Sequence, residues 1–284
     1  MSWSRCISES RRGLAPEASD TAARWLSRAG RRSCVSLLIA CAVALGGSSV
    51  AGAQTLGYTS SLFGSHATYP ADSGRAASVY WFNTVDIATG RLRASVGVPF
   101  VWRRSTFPDL ATDPALPAER TETATGLGDP LIRADFTVVN DYARGVQLTL
   151  AGSVKLPVAS IEDGLGTGET DVGFGGSLFT ARGKTSVFAD LMFWTYGDPA
   201  GVTFEDSLSY SVGLGRILGT GRWSAMTTLG GFSRGLDGGA GPLQLYVTML
   251  ALAGRGQSVA LTAGIGLNDA SSGFTLGTSW RIAR

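Results

Sequence analysis

Residues 257–268 read QSVALTAGIGLN. One set of alternate positions is Val259, Leu261, Ala263, Ile265 and Leu267; the interleaved set is Ser258, Ala260, Thr262, Gly264, Gly266 and Asn268. An alternation of period two marks a β-strand, because successive side chains point to opposite faces. The second face here is small and uncharged, whereas the water face of a soluble sheet normally carries many Lys and Glu residues. Gly, Ser and Thr suit a narrow enclosed interior, with the bulky residues turned outward to lipid.

The same two faces recur. In 205–218, Leu208, Tyr210, Val212 and Leu214 alternate with Ser207, Ser209, Ser211 and Gly213; in 185–197 one face is Val187, Ala189, Leu191 and Phe193. Such runs span 54–66, 76–87, 91–103, 127–140, 146–157, 170–181, 185–197, 205–218, 221–234, 242–253, 257–268 and 273–283, twelve in all. They are about twice the mean soluble strand of 5–6 residues and match the roughly 9–11 needed to cross a bilayer at a tilt. Short turns at 88–90, 141–145, 182–184, 219–221 and 255–256 alternate with longer polar loops at about 104–125, 158–169, 198–204, 235–241 and 269–272. Short turns on one side and long loops on the other are the pattern of an outer-membrane barrel. The expectation is an all-β chain: one antiparallel, up-and-down transmembrane barrel of twelve strands over residues 54–284. Trp81, Trp102, Trp194, Trp223 and Trp280 fall at or near run ends, where an interfacial girdle would lie.

Composition agrees. Charged residues make up only 16% of the 284 residues, and Gly accounts for 39. Of the 24 basic and 22 acidic residues, 7 and 3 fall in residues 1–53, so residues 54–284 hold 17 and 19. There is no basic patch and no nucleic-acid signature. Arg28, Arg31 and Arg32 precede the apolar run VSLLIACAVALG (35–46), and Ala51-Gly52-Ala53 follows. A positive region, a short apolar region and an A-x-A-like site read as a secretory signal cleaved after Ala53. Cys41 within Leu38-Ile39-Ala40-Cys41 offers a competing lipoprotein reading. Cys6, Cys34 and Cys41 all lie in the removed part, so the mature chain has no disulfide, thiolate metal site or cysteine nucleophile.

Another run reads GLGDPLIRADFTVVN (126–140). Asp129, Arg133 and Asp135 share one face of it, opposite Ile132 and Phe136. A buried charge without a partner is costly, so this face must be wet or paired. If Phe136 faces lipid, these three face the lumen, and the same alternation turns Lys155, Asp171, Asp190, Glu205, Arg222 and Arg93 inward. Acids and bases on neighbouring strands can then pair across the ladder. Phe188, Met192, Trp194, Tyr196, Tyr246 and Leu250 also face inward and would narrow the lumen.

No cofactor is expected: the glycine-rich 164–168 stretch lacks a Lys-Ser/Thr and a following helix. No metal site is expected either, because His66 is the single histidine. Gly64-Ser65-His66 leaves an acyl hydrolase using Ser65 and His66 conceivable. A third reading is a surface-interaction barrel working through the acidic loops around 109–122 and 162–169.

The C-terminal Thr275-Leu276-Gly277-Thr278-Ser279-Trp280-Arg281-Ile282 resembles the polar-x-Gly-x-x-aromatic-x-hydrophobic signal that hands bacterial barrels to the insertion machinery. It departs from that signal in continuing to Ala283-Arg284. Gly126-Leu127-Gly128-Asp129, Lys155-Leu156-Pro157, and Leu165-Gly166-Thr167-Gly168 followed by Asp171 form an ordered set. The set resembles the outer-membrane family named for the meta-pathway of phenol degradation. The resemblance implies an exported barrel, partnered by outer-membrane lipid, that admits small apolar or aromatic solutes. No functional residue is carried over from it.

Overall fold

The computed structural model describes residues 54–68, 74–109, 118–199, 201–235, 238–254 and 256–284. The signal segment expected over residues 1–53, with its expected cleavage after Ala53, lies outside the described residues. Thirteen strands run in chain order: β1 Gln54–Thr68, β2 Arg75–Thr89, β3 Leu92–Asp109, β4 Ala118–Leu127, β5 Leu131–Asp141, β6 Val146–Lys155, β7 Asp171–Arg182, β8 Thr185–Thr195, β9 Ser207–Leu218, β10 Trp223–Phe232, β11 Leu243–Gly254, β12 Gln257–Gly266 and β13 Phe274–Ala283. Every pairing is antiparallel, and β1 joins β13 through ten residue pairs, Gly57↔Ala283 to His66↔Phe274. The sheet therefore closes on itself, the form in which strands can span a bilayer.

Thirteen strands fill twelve wall positions. The lower part of β3 pairs with β5 from Leu92↔Phe136 to Gly97↔Leu131, and the upper part pairs with β4 from Phe100↔Leu127 to Asp109↔Ala118. Thus β4 and β5 share one position, interrupted at Gly128-Asp129-Pro130. Pro130 brings no N–H to a ladder and biases Asp129 away from helical geometry. Part of the 104–125 stretch expected as an outer loop is therefore strand. It extends the β1–β4 side beyond the level at which β6 ends and β7 begins.

The polarity is inside-out. Leu56, Leu62, Trp81, Phe136, Leu150, Phe174, Leu191, Leu214, Leu261 and Leu276 are all exposed on the outer face. The buried set is mostly small or polar, with Asp86, Ser105, Thr149, Ser153, Asp171, Ser207 and Thr275 in it and Val101 and Met192 as its larger apolar members. Among the described residues no large side chain is fully buried. Such an apolar belt in water would be a large aggregation liability; against lipid it is the barrel's solvent-matched surface.

Glycine has a packing role on the inner face. Trp194 lies opposite Gly173, Phe188 opposite Gly213, Tyr246 opposite Gly264 and Phe63 opposite Gly277. In each pair the ring lies over the glycine, so an added methyl group would collide with it; at Gly173 it would sit 2.9 Å from the Trp194 indole. Rings laid flat along the wall occupy the lumen's periphery and cover the missing side chain. Trp194 is thus an inward side chain, not a girdle member. Trp81, Trp223 and Trp280 are exposed on the outer face.

Candidate functional site: the barrel lumen

The inward charges fall into separate groups. The first joins the three segments Gly126–Asp129, Lys155–Pro157 and Leu165–Asp171. Lys155 Nζ lies 2.6 Å from Asp171 Oδ2 and 3.4 Å from Asp129 Oδ2, and it donates to Thr167 Oγ1 at 2.8 Å. Asp129 Oδ1 accepts the backbone N–H groups of Val158 and Ala159, and Asp171 Oδ1 accepts that of Gly197. Both carboxylates are almost wholly buried, with side chains 7% and 8% exposed. One ammonium and three backbone amides satisfy them, while Thr167 accepts a further ammonium proton; this is what two carboxylates need to stay ionised away from water. The cluster sits where β5, β6 and β7 end, and it ties residues 156–170 to the strand ends. That loop packs inward: a methyl group at Gly126 would meet Leu165, and one at Gly166 would meet Asp129 and Ala159.

The second group is Arg133, Asp135 and Asp190. Arg133 Nε donates to Asp135 Oδ1 at 2.9 Å, and its NH2 group lies 4.0 Å from Asp190 Oδ2. Arg133 stands on β5 and Asp190 on β8, so the guanidinium reaches past the small inner residues of β6 and β7, Ser153 and Gly173 among them.

A third group joins Arg93, expected to face inward, to Asp86 and Arg281, which the sequence reading did not place in the lumen. Asp86 on β2 is 4% exposed and receives Arg281 from β13 at 2.6 Å and 3.0 Å, with Arg93 of β3 at 3.4 Å. Arg281 also donates to Thr59 on β1 at 3.0 Å. The bridge passes over Gly57, where a side chain would strike both partners. It spans β1 and so crosses the seam between the first and last strands. Alternation along β2 places Asp86 on the same face as Tyr80 and Phe82 and could have revealed it.

Three of the eight lumen candidates lie outside the strands: Asp129, in the break between β4 and β5, and Glu205 and Arg222. Glu205 belongs to the loop before β9 and pairs with Arg234 at 3.3 Å, with more than half of each side chain exposed. Arg222 lies in the β9–β10 turn and is exposed. Strand alternation does not extend into a loop or turn, so it cannot orient either residue.

The Ser65 and His66 pair does not assemble. The two are consecutive in β1, so their side chains leave opposite faces. Ser65 Oγ bonds Ser78 Oγ at 2.8 Å on the inner side, while His66 is exposed. Among the described residues, no group of three or more His, Cys, Asp or Glu side chains gathers as a metal would require.

Space remains in the half of the lumen nearer the long loops. One cavity of about 430 Å³ is lined by Phe63, Tyr80, Phe82, Thr228, Gln244 and Tyr246, with further Ser and Thr hydroxyls and no charged residue. Tyr80 and Phe82 stand with ring centroids 6.2 Å apart, inclined by 21°. A second cavity of about 280 Å³ adjoins it and includes Asp190, Ser209, Ser211 and Phe232. Thr228, Gln244 and Tyr246 line both and so stand between them. The Tyr246 hydroxyl donates to Gln244 Oε1.

No known protein family matches the sequence, and no curated protein matches it. Solved structures do match the fold. An outer membrane channel from Pseudomonas putida F1 aligns over 84% of this chain and 99% of its own, with a TM-score of 0.62 at 15% identity. The β domain of the Bordetella autotransporter BrkA aligns over 81% of this chain and 99% of its own, with a TM-score of 0.51 at 13% identity. At these identities the likeness is one of fold. The chain is thus a closed, twelve-position antiparallel β-barrel of the outer-membrane type.

Proposed function

We propose that this barrel is an outer-membrane channel for small, compact compounds, apolar or aromatic in character. The observation that carries the reading is the uncharged, ring-lined cavity inside the barrel. A twelve-stranded barrel is intermediate between eight-stranded barrels filled by side chains and open pores of sixteen to eighteen strands. Here Phe63, Tyr80, Phe82, Phe188, Trp194 and Tyr246 occupy part of the lumen, and what remains is on the scale of a small-molecule site. A wide water-filled pore has no use for such rings. The ordered motif set points the same way, toward the meta-pathway family of phenol degradation, and the fold shared with an outer membrane channel supports it. The Asp129–Lys155–Asp171 cluster holds the 156–170 loop at the mouth, and Arg133, Asp135 and Asp190 form a charged wall beside the cavity.

The test is uptake of radiolabelled aromatic carbon sources by cells with and without the gene, beside swelling assays of purified protein in liposomes. Slower uptake of hydrophobic solutes in the deletion strain, with little sugar or salt flux in liposomes, supports the reading. Unchanged hydrophobic uptake together with free passage of sugars and salts replaces it with a general porin.

A further inference from the structure

We infer that the 430 Å³ chamber is a binding site for an uncharged cyclic compound bearing one hydrogen-bonding substituent, and that Gln244 decides its specificity. The inference rests on the channel reading and goes further by assigning a site, a ligand chemistry and a selecting residue.

Three features of the chamber define the ligand. The first is its ring surface. Phe63, Tyr80 and Phe82 come from β1 and β2 and face the β11–β13 wall. Aromatic faces favour a flat or ring-shaped partner in offset or edge contact. The second is the absence of charge. The inward ions on β5 and β8 are occupied with one another, Arg133 with Asp135 and Asp190, and Asp86, Arg93 and Arg281 bind one another toward the short-turn end. A carboxylate entering the chamber would lose water and find no cation, which is strongly unfavourable. The third is a polar group with spare capacity. Gln244 accepts the Tyr246 hydroxyl proton through Oε1. That bond leaves the two amide N–H donors of Gln244 facing the chamber it lines. A side-chain amide carries two donors and a two-lone-pair acceptor, so it can meet a hydroxyl or carbonyl on a ring. Tyr246 is held in place beneath it, because its ring lies over Gly264.

The partition made by Gln244 and Tyr246 also separates two chemistries. On one side is the neutral chamber; on the other is the smaller cavity that contains Asp190. A hydroxylated ring in the first chamber hydrogen-bonds the partition rather than the acid. A plain hydrocarbon gains the rings and nothing from Gln244. The site therefore favours the substituted ring over the plain one by the strength of that hydrogen bond.

The experiment uses purified full-length mature barrel in detergent micelles and three fluorinated probes: 4-fluorobenzyl alcohol, 4-fluorobenzoate and fluorobenzene. Binding is read by ¹⁹F NMR against protein-free micelles, which removes partitioning into detergent. The expected result is saturable binding of the alcohol, at least tenfold tighter than the benzoate. In Gln244→Leu the alcohol weakens about tenfold, the loss of one hydrogen bond, and falls to the level of fluorobenzene, whose binding is unchanged. Heat-modifiable migration on a gel shows that the variant is folded, and the ranking in the unmutated protein does not depend on the variant at all. Equal binding of alcohol and benzoate, absence of saturable binding, or a folded Gln244→Leu that binds the alcohol undiminished overturns the inference. Loss of the site with cellular uptake intact removes this inference alone; an intact site with unchanged uptake in the deletion strain removes the channel reading instead.

Discussion

Leu261→Arg and Thr262→Arg place the same side chain on adjacent residues of one strand and should differ sharply. Leu261 is the fifth residue of the ten in β12 and is 62% exposed on the outer face. With a rise of about 3.3 Å per residue and a tilt near 40°, β12 climbs about 23 Å. Leu261 then lies about 10 Å from its short-turn end, close to the midplane of an apolar band about 25 Å tall. Arginine at that depth costs about 2–4 kcal/mol. Thr262 points the other way and bonds Thr248 Oγ1 at 2.9 Å. Arginine there forfeits that bond, about 0.5–1.5 kcal/mol, and its long side chain can carry the charged head away from the wall along the lumen. The two variants should differ by about 1–3 kcal/mol, or about 5- to 150-fold in the folded-to-unfolded ratio. Urea titration of each variant in lipid vesicles, read by the heat-modifiable gel band, measures this. Equal midpoints, or a less stable Thr262→Arg, would refute the inward and outward assignment of the whole barrel, because a one-residue register change exchanges every face.

Lys155→Met should be severe: it leaves Asp129 and Asp171 buried without their cation, an expected loss of about 3–5 kcal/mol, seen as a lowered unfolding midpoint. Protease cleavage within 156–170 should rise with it; full resistance would show that the cluster does not hold the loop. Gly264→Val forces the Tyr246 ring off the wall at about 1–3 kcal/mol, and near-ultraviolet circular dichroism should report the altered tyrosine environment. His66→Ala should leave membrane phospholipid composition as in the parent strain, and a change in acyl-chain content would revive the hydrolase reading.

The order of charges along β5 to β7 was visible in the sequence, but their partners were not. Asp129, Lys155 and Asp171 are separated by 26 and 16 residues, and they meet because the upper ends of β5, β6 and β7 come level. That level depends on register and shear, which local patterning does not record. The Asp86–Arg281 bridge is a stronger case, since its partners lie 195 residues apart and meet only when the barrel closes over Gly57. The 104–125 stretch was misread for a different reason. The β4 sequence AERTETATGL extends beyond the level where its neighbours end and shows no bulky apolar face to lipid, so the signal that exposed the other strands is missing. Glu205 and Arg222 were oriented by counting alternate residues past strand ends, where the period no longer holds.

What the sequence determined by itself was the class of fold: the two-residue period, the small inner face, the bulky outer face and the sorting of loop lengths. Each of these is written in neighbouring residues, because a strand's two faces and a hairpin's turn are local properties. Only the tertiary structure decided which rings lie on which glycines, which charges neutralise one another, and where the lumen stays empty. Those outcomes depend on strands brought side by side by closure, and Gln244 and Tyr246 face Phe63, Tyr80 and Phe82 across a space that exists only once β1 has met β13.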